Sequence, residues 1–228
     1  MIKHLRMLLR GQTAPIAASL ERPELQSFIS YCIAIVLGSS VYGATIGLWR
    51  GPLQSVFTAI KFPLLIFLTG LGNGAVNGML AQVLGSGLSF KQTAFAILMS
   101  FALASVILGA FSPITLFILY NAPPLGSQYA IIGHSLMLLT HVFAIAFAGI
   151  VANQRLLALL RKMNGRETPA RTVLFAWLGG NLFLGAQLAW ILRPFIGTPH
   201  MAVEFLRHDP LRGNFYEAVW RAFRHLFP

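Results

Sequence analysis

The sequence predicts an all-α protein, a polytopic bundle of five transmembrane helices with short amphipathic helices at its ends. Three observations carry that reading. Of the 228 residues, 56% are hydrophobic and only 10% charged, against about 25% charged in an average soluble domain. Five stretches free of Asp, Glu, Lys and Arg reach the length, about 20 residues, that an α-helix needs to cross a hydrocarbon core about 30 Å thick. Basic residues gather between those stretches, where topology and anionic headgroups require them.

Taken in order, residues 1–26 form a basic arm with Lys3, Arg6, Arg10 and Arg22. Within Met1 to Arg10 no apolar stretch is longer than Met7 to Leu9, too short for the apolar region of a cleaved leader. The first span, 27–48, is therefore expected to act as an uncleaved anchor. The remaining spans are 62–84, 93–120, 129–152 and 172–192, giving a membrane unit over 27–192. Residues 51–60 read as a brief interfacial turn of helix before Pro63. Pro113 sits late in the third span, where a ring without an N–H predicts a kink or break and a short apolar continuation. Residues 193–228 form a basic tail.

Orientation follows from the basic residues. Five crossings place Lys3, Arg6, Arg10, Arg22, Lys91, Arg155, Arg161, Lys162, Arg166 and Arg171 on one face and Arg50 and Lys61 on the other. That asymmetry predicts a cytoplasmic N-terminus in a bacterial inner membrane, although the tail adds Arg193, Arg207, Arg212, Arg221 and Arg224 to the poorer face. Five crossings also bring Trp49, Tyr120, Tyr129 and Trp190 to one bilayer edge, where interfacial aromatics belong.

A formal charge of +11 would suggest nucleic acid in a soluble protein. Here lipid headgroups account for it, and no nucleic-acid partner is expected. The single cysteine, Cys32, excludes an intramolecular disulfide and a CxxC metal knuckle. Paired intramembrane aspartates, HExxH, G-x-S-x-G and a Walker loop are all missing from the sequence, so neither an enzyme nor a cofactor is expected.

Several residues stand out as sites. In the second span Gly70, Gly74 and Gly78 recur every fourth residue beside Asn73 and Asn77, a face on which another helix can approach closely and accept amide hydrogen bonds. The same residues fit a broken helix lining a solute site near the midplane. Gly43 and Gly47 make a GxxxG in the first span, one turn after Ser39, and read as helix packing. His134 and His141 are seven residues apart, so about 10 Å separates them along the axis and they cannot share one haem iron. Each fits a hydrogen-bonded packing role, a separate haem or a proton path.

In the tail, Thr198-Pro199 reads as a helix start, which would put His200, Glu204 and His208 on one face as metal ligands or as a polar stripe. Asn214 and Glu217 have a capping-box-like spacing. Beyond them Phe215, Val219, Phe223 and Leu226 recur along one side, with Arg221 and Arg224 elsewhere, and Arg221, Arg224, Trp220 and Phe223 are expected at the membrane surface of an interfacial helix.

The stretch Leu84 to Thr93, LGSGLSFKQT, is a small-residue turn followed by Ser89, Phe90, Lys91 and Gln92 at the head of an alanine-rich span broken at Pro113. With five spans, it resembles bacterial members of the Yip1-like membrane protein superfamily over about residues 62–152. Eukaryotic relatives of that group contact small GTPases through cytosolic segments. The short arm here lacks their acidic cytosolic motif, so GTPase binding is not implied. The expected role is a non-enzymatic scaffold or assembly subunit, with membrane lipids and intramembrane protein partners or further copies of itself. The rival readings are a transporter or channel for a neutral or lipid-like solute, using Asn73, Asn77, Asn181 and Gln187, and a redox subunit using His134 or His141.

Overall fold

The computed structural model describes residues 24–83, 89–164 and 167–227, together with Arg6, Met7, Leu9, Arg10, Ile16 and Leu20. Those residues form six helices and no strand: α1 Leu25–Leu48, α2 Pro52–Val83, α3 Phe90–Asn121, α4 Ala130–Asn164, α5 Glu167–Ile191 and α6 Phe215–Leu226. The first five are long and apolar enough to cross a membrane. The predicted arm and the turn at Leu84 to Leu88 fall largely outside the described residues.

Boundaries differ from expectation where backbone chemistry outweighs hydropathy. The stretch 51–60, expected as a brief interfacial turn of helix, is helical from Pro52 but continuous with the second span. Gly51, at φ 139°, reverses the chain, and Pro52 opens α2 at the first helical position, where its missing N–H loses nothing. The helix then runs unbroken through Pro63. Helix α3 likewise continues through Pro113 to Asn121 instead of breaking. Neighbouring helices make such prolines tolerable in a membrane, and Gly109, whose carbonyl Pro113 leaves without its helical donor, lies against Gly38 of α1. Ser89 and Gln92 close a reciprocal capping box at the start of α3, so the helix begins three residues before the apolar run.

Helix α1 is the centre of the bundle, packed along α2 on one side and α3 on the other. Its small residues allow this. A β-carbon on Gly43 would meet the Thr58 carbonyl oxygen at 2.7 Å, and one on Gly38 or Gly47 would strike the backbone of Ser105 or Gln54. Gly43 and Gly47 thus pack a helix, as their spacing predicts. Helix α5 joins through α2, and α4 through α3 and α5. Alternating spans bring the 49–51 link, the 122–129 link and the tail to one end of the bundle, hereafter the tail end.

The outer faces are apolar, with Leu71, Phe117, Phe143, Phe147, Ile150, Phe175 and Phe183 exposed. A bilayer supplies the solvent those side chains need. At the tail end Tyr120 and Tyr129 are exposed as interfacial residues should be, but Trp49 is only 7% exposed. Its indole N–H donates to the Pro123 carbonyl at 3.2 Å, so it locks two links together instead of facing lipid.

Candidate functional site

Helix α2 carries polar side chains along most of its length, and they form two ladders. Nearest the tail end stand Gln54, Thr58 and Lys61, at i, i+4 and i+7, all fully buried. Gln54 Nε2 donates to the carbonyls of Pro194 at 2.8 Å and Phe195 at 2.9 Å. Thr58 Oγ1 donates to Phe195 at 2.7 Å. Lys61 Nζ donates to Phe205 at 2.8 Å and also to Pro194, and it lies 5.2 Å and 5.3 Å from the ring centres of Phe195 and Phe205. Two carbonyl dipoles and two π-faces replace the hydration shell that burial removes from the ammonium group.

The tail reaches these donors by abandoning helix. From Pro194 to Gly213 it is irregular, turning at Gly197 and Gly213, whose φ values of 82° and 79° belong to the left-handed region glycine favours. Arginines fasten the outer strap: Arg193 donates to the carbonyls of Trp190, Asp209, Pro210 and Arg212 and lies 4.1 Å over the Trp190 ring. Arg50 donates to Met201 at 2.9 Å.

This overturns the expected metal face. A helix from Thr198 would align His200, Glu204 and His208, but the chain there is irregular, with the Met201 carbonyl accepting from Arg50 and the Phe205 carbonyl from Lys61. Glu204 instead pairs with Arg207 at 3.1 Å, and among the described residues no group of three metal-ligating side chains gathers.

The second ladder lies on the same helix, further from the tail: Thr69, Asn73 and Asn77, again four apart and about 12 Å from end to end at the α-helical rise. All three are buried. Opposite them α5 presents Gly185, Gly180 and Asn181. Asn73 Nδ2 donates to Asn181 Oδ1. Thr69 Oγ1, Asn73 Oδ1 and both amide atoms of Asn77 have no hydrogen-bond partner among the described residues. The glycine face beside them does a different job. Gly70, Gly74 and Gly78 receive Phe101, Ala94 and Phe90 of α3, so glycine packs α3 while the asparagines face α5.

The two intramembrane histidines are held apart, one against Tyr42 of α1 and the other against Trp49 of the 49–51 link. His141 Nδ1 meets Tyr42 Oη at 2.9 Å with the rings edge to face, beside a Thr115 to Thr45 hydrogen bond of 2.9 Å. His134 packs 5.9 Å from Trp49. Its neighbour Ser135 contacts His225 of α6 at 3.2 Å.

Helix α6 is capped by Asn214, whose side chain accepts from the Glu217 backbone N–H at 2.9 Å. It packs along α4 and α5, and Tyr216 Oη donates to the Leu182 carbonyl. Ala222 is its buried residue, whereas Tyr216, Trp220, Phe223 and Phe227 are exposed along one stripe beside the exposed Arg221 and Arg224. Trp220, Phe223, Arg221 and Arg224, the residues expected at the membrane surface, are thus all on the outward side of the helix.

Sequence reading missed Gln54, Thr58 and Lys61 because they sat in an assumed link. The Gly51-Pro52 pair was the available signal, since a helix opened there puts all three on one face. Five apolar spans with a polar interior define a multi-pass membrane protein. Comparison with protein-family models, curated proteins and solved structures finds no match for the chain.

Proposed function

We propose that the protein is a non-enzymatic scaffold or assembly subunit of the bacterial cytoplasmic membrane, a Yip1-like relative with its N-terminus in the cytoplasm. The observation that carries this reading is the burial of Lys61 against the Pro194 and Phe205 carbonyls. It fixes an irregular tail to the bundle and so holds α6 in place against α4 and α5. A protein whose buried cation ties down its own tail, and whose outer aromatic and basic stripe is thereby held rigid, suits the presentation of a surface. Membrane lipids and neighbouring membrane proteins are the partners such a surface takes.

The test compares assembly with flux. Purified in mild detergent, the wild-type chain is expected in a complex larger than the 24.9 kDa monomer, and Lys61→Met is expected to reduce it to the monomer. Proteoliposomes should show no solute flux above protein-free vesicles. A chain that stays monomeric while conducting a neutral solute contradicts the scaffold. One observation favours the transporter as second reading, the unpartnered amide of Asn77. Flux lost in Asn77→Leu would establish it.

A further inference from the structure

Inside a bilayer, a buried amide without a partner is expensive because no water waits nearby to replace the missing bond. The α2 to α5 seam holds several such atoms together. Asn73 and Asn77 are fully buried, and Asn73 Oδ1, Asn77 Oδ1 and Asn77 Nδ2 all lack partners among the described residues. Their placement is not scattered. A β-carbon on Gly180 would lie 3.0 Å from Asn73 Oδ1 and 3.6 Å from Asn77 Oδ1, so the two amide oxygens converge on Gly180, where α5 has no side chain.

Two converging acceptors demand a donor, and the nearby Nδ2 of Asn77 demands an acceptor. A neutral hydroxyl satisfies both, because it donates one hydrogen bond and accepts others. A carboxylate or other anion would repel the oxygens, and an ammonium group would leave Nδ2 without an acceptor. Size sets the second limit, since a β-carbon on Gly180 would already lie 3.0 Å from Asn73 Oδ1. The group that reaches the amides must therefore be small, and Thr69 Oγ1 further along the seam is likewise unpartnered among the described residues.

We propose that Asn73, Asn77 and Gly180 form an intramembrane binding point for the hydroxyl group of a small neutral guest. Water and a short polyol such as glycerol are the two sources of that chemistry. The inference does not rest on the scaffold reading, because binding at this point requires neither assembly nor flux.

The experiment uses the full chain in lipid nanodiscs with ¹⁵N-labelled asparagine. The Asn77 side-chain amide is expected to show cross-relaxation with bound water, or a saturable shift on adding glycerol. Water cross-relaxation unchanged by glycerol identifies water as the guest, and a saturable glycerol shift identifies the polyol. Gly180→Ala places a methyl group where the oxygens converge and should abolish whichever signal is seen. Alanine also favours helix over glycine, so the variant is expected to stay folded. Asn77→Leu provides the resonance assignment. An Asn77 amide that responds to neither water nor glycerol overturns the proposal, as does a signal that survives Gly180→Ala.

Discussion

Two stretches of α2 meet the same difficulty in opposite ways. From Gln54 to Lys61, fully buried polar side chains donate to backbone carbonyls of a tail more than a hundred residues away in sequence. From Thr69 to Asn77, side chains equally withdrawn from solvent leave most of their polar atoms without protein partners among the described residues. The chain supplies an irregular strap to the first stretch and a regular helix, α5, to the second. A regular helix has its backbone N–H and C=O groups paired internally, and at Gly180 and Gly185 α5 has no side chain to offer either. The irregular strap satisfies the donors of the first stretch, whereas α5 satisfies only Asn73 Nδ2 of the second.

Substitutions can break this contrast. Lys61→Met keeps the bulk and removes the donor, leaving Pro194 and Phe205 less well paired. Each bare buried carbonyl costs about 1–3 kcal/mol, so a clear drop in thermal stability is expected, with trypsin gaining access to Arg207 and Arg212. Unchanged stability and a protected tail would show that the ladder does not hold the tail.

Gln54→Leu should do the same more weakly, by about 1 kcal/mol, because Thr58 and Lys61 still serve the Phe195 and Pro194 carbonyls. Asn77→Leu removes no bond to a described protein group and is expected to change stability by less than about 1 kcal/mol while leaving the tail protected. A loss as large as that of Lys61→Met would mean the second ladder is also structural. Smallest of all, Thr69→Val should shift stability by no more than about 0.5 kcal/mol, read from the same melting curves.

Much of the architecture was legible because hydropathy over about 20 residues depends on local sequence alone. The five spans, the helix-packing role of Gly43 and Gly47, and the outward Trp220, Arg221 and Arg224 all follow from local pattern. What escaped depends on distant partners. Lys61 looked like a loop residue because a charge inside a span is costly, and only the carbonyls of Pro194 and Phe205 make its burial tolerable. The His200, Glu204 and His208 helix failed because its expected stretch is held as irregular chain by distant donors, Arg50 on the Met201 carbonyl and Lys61 on the Phe205 carbonyl. Trp49 followed the general preference of tryptophan for interfaces in sequence, but the 122–129 link folds over it and turns it inward. The asparagine pair was visible as polar, yet its pairing with α5 rather than with the glycine-lined α3 interface required the fold.

The most direct test of the account is the reactivity of Lys61 to reductive methylation in lipid nanodiscs, with Lys91 as internal reference. Lys61 is fully buried under the tail and Lys91 is exposed at the head of α3. The account predicts that mass spectrometry finds Lys91 methylated and Lys61 untouched, with Lys61 becoming reactive when Phe205→Ala and Gln54→Leu together loosen the strap. Equal methylation of Lys61 and Lys91 in the wild-type protein would contradict it.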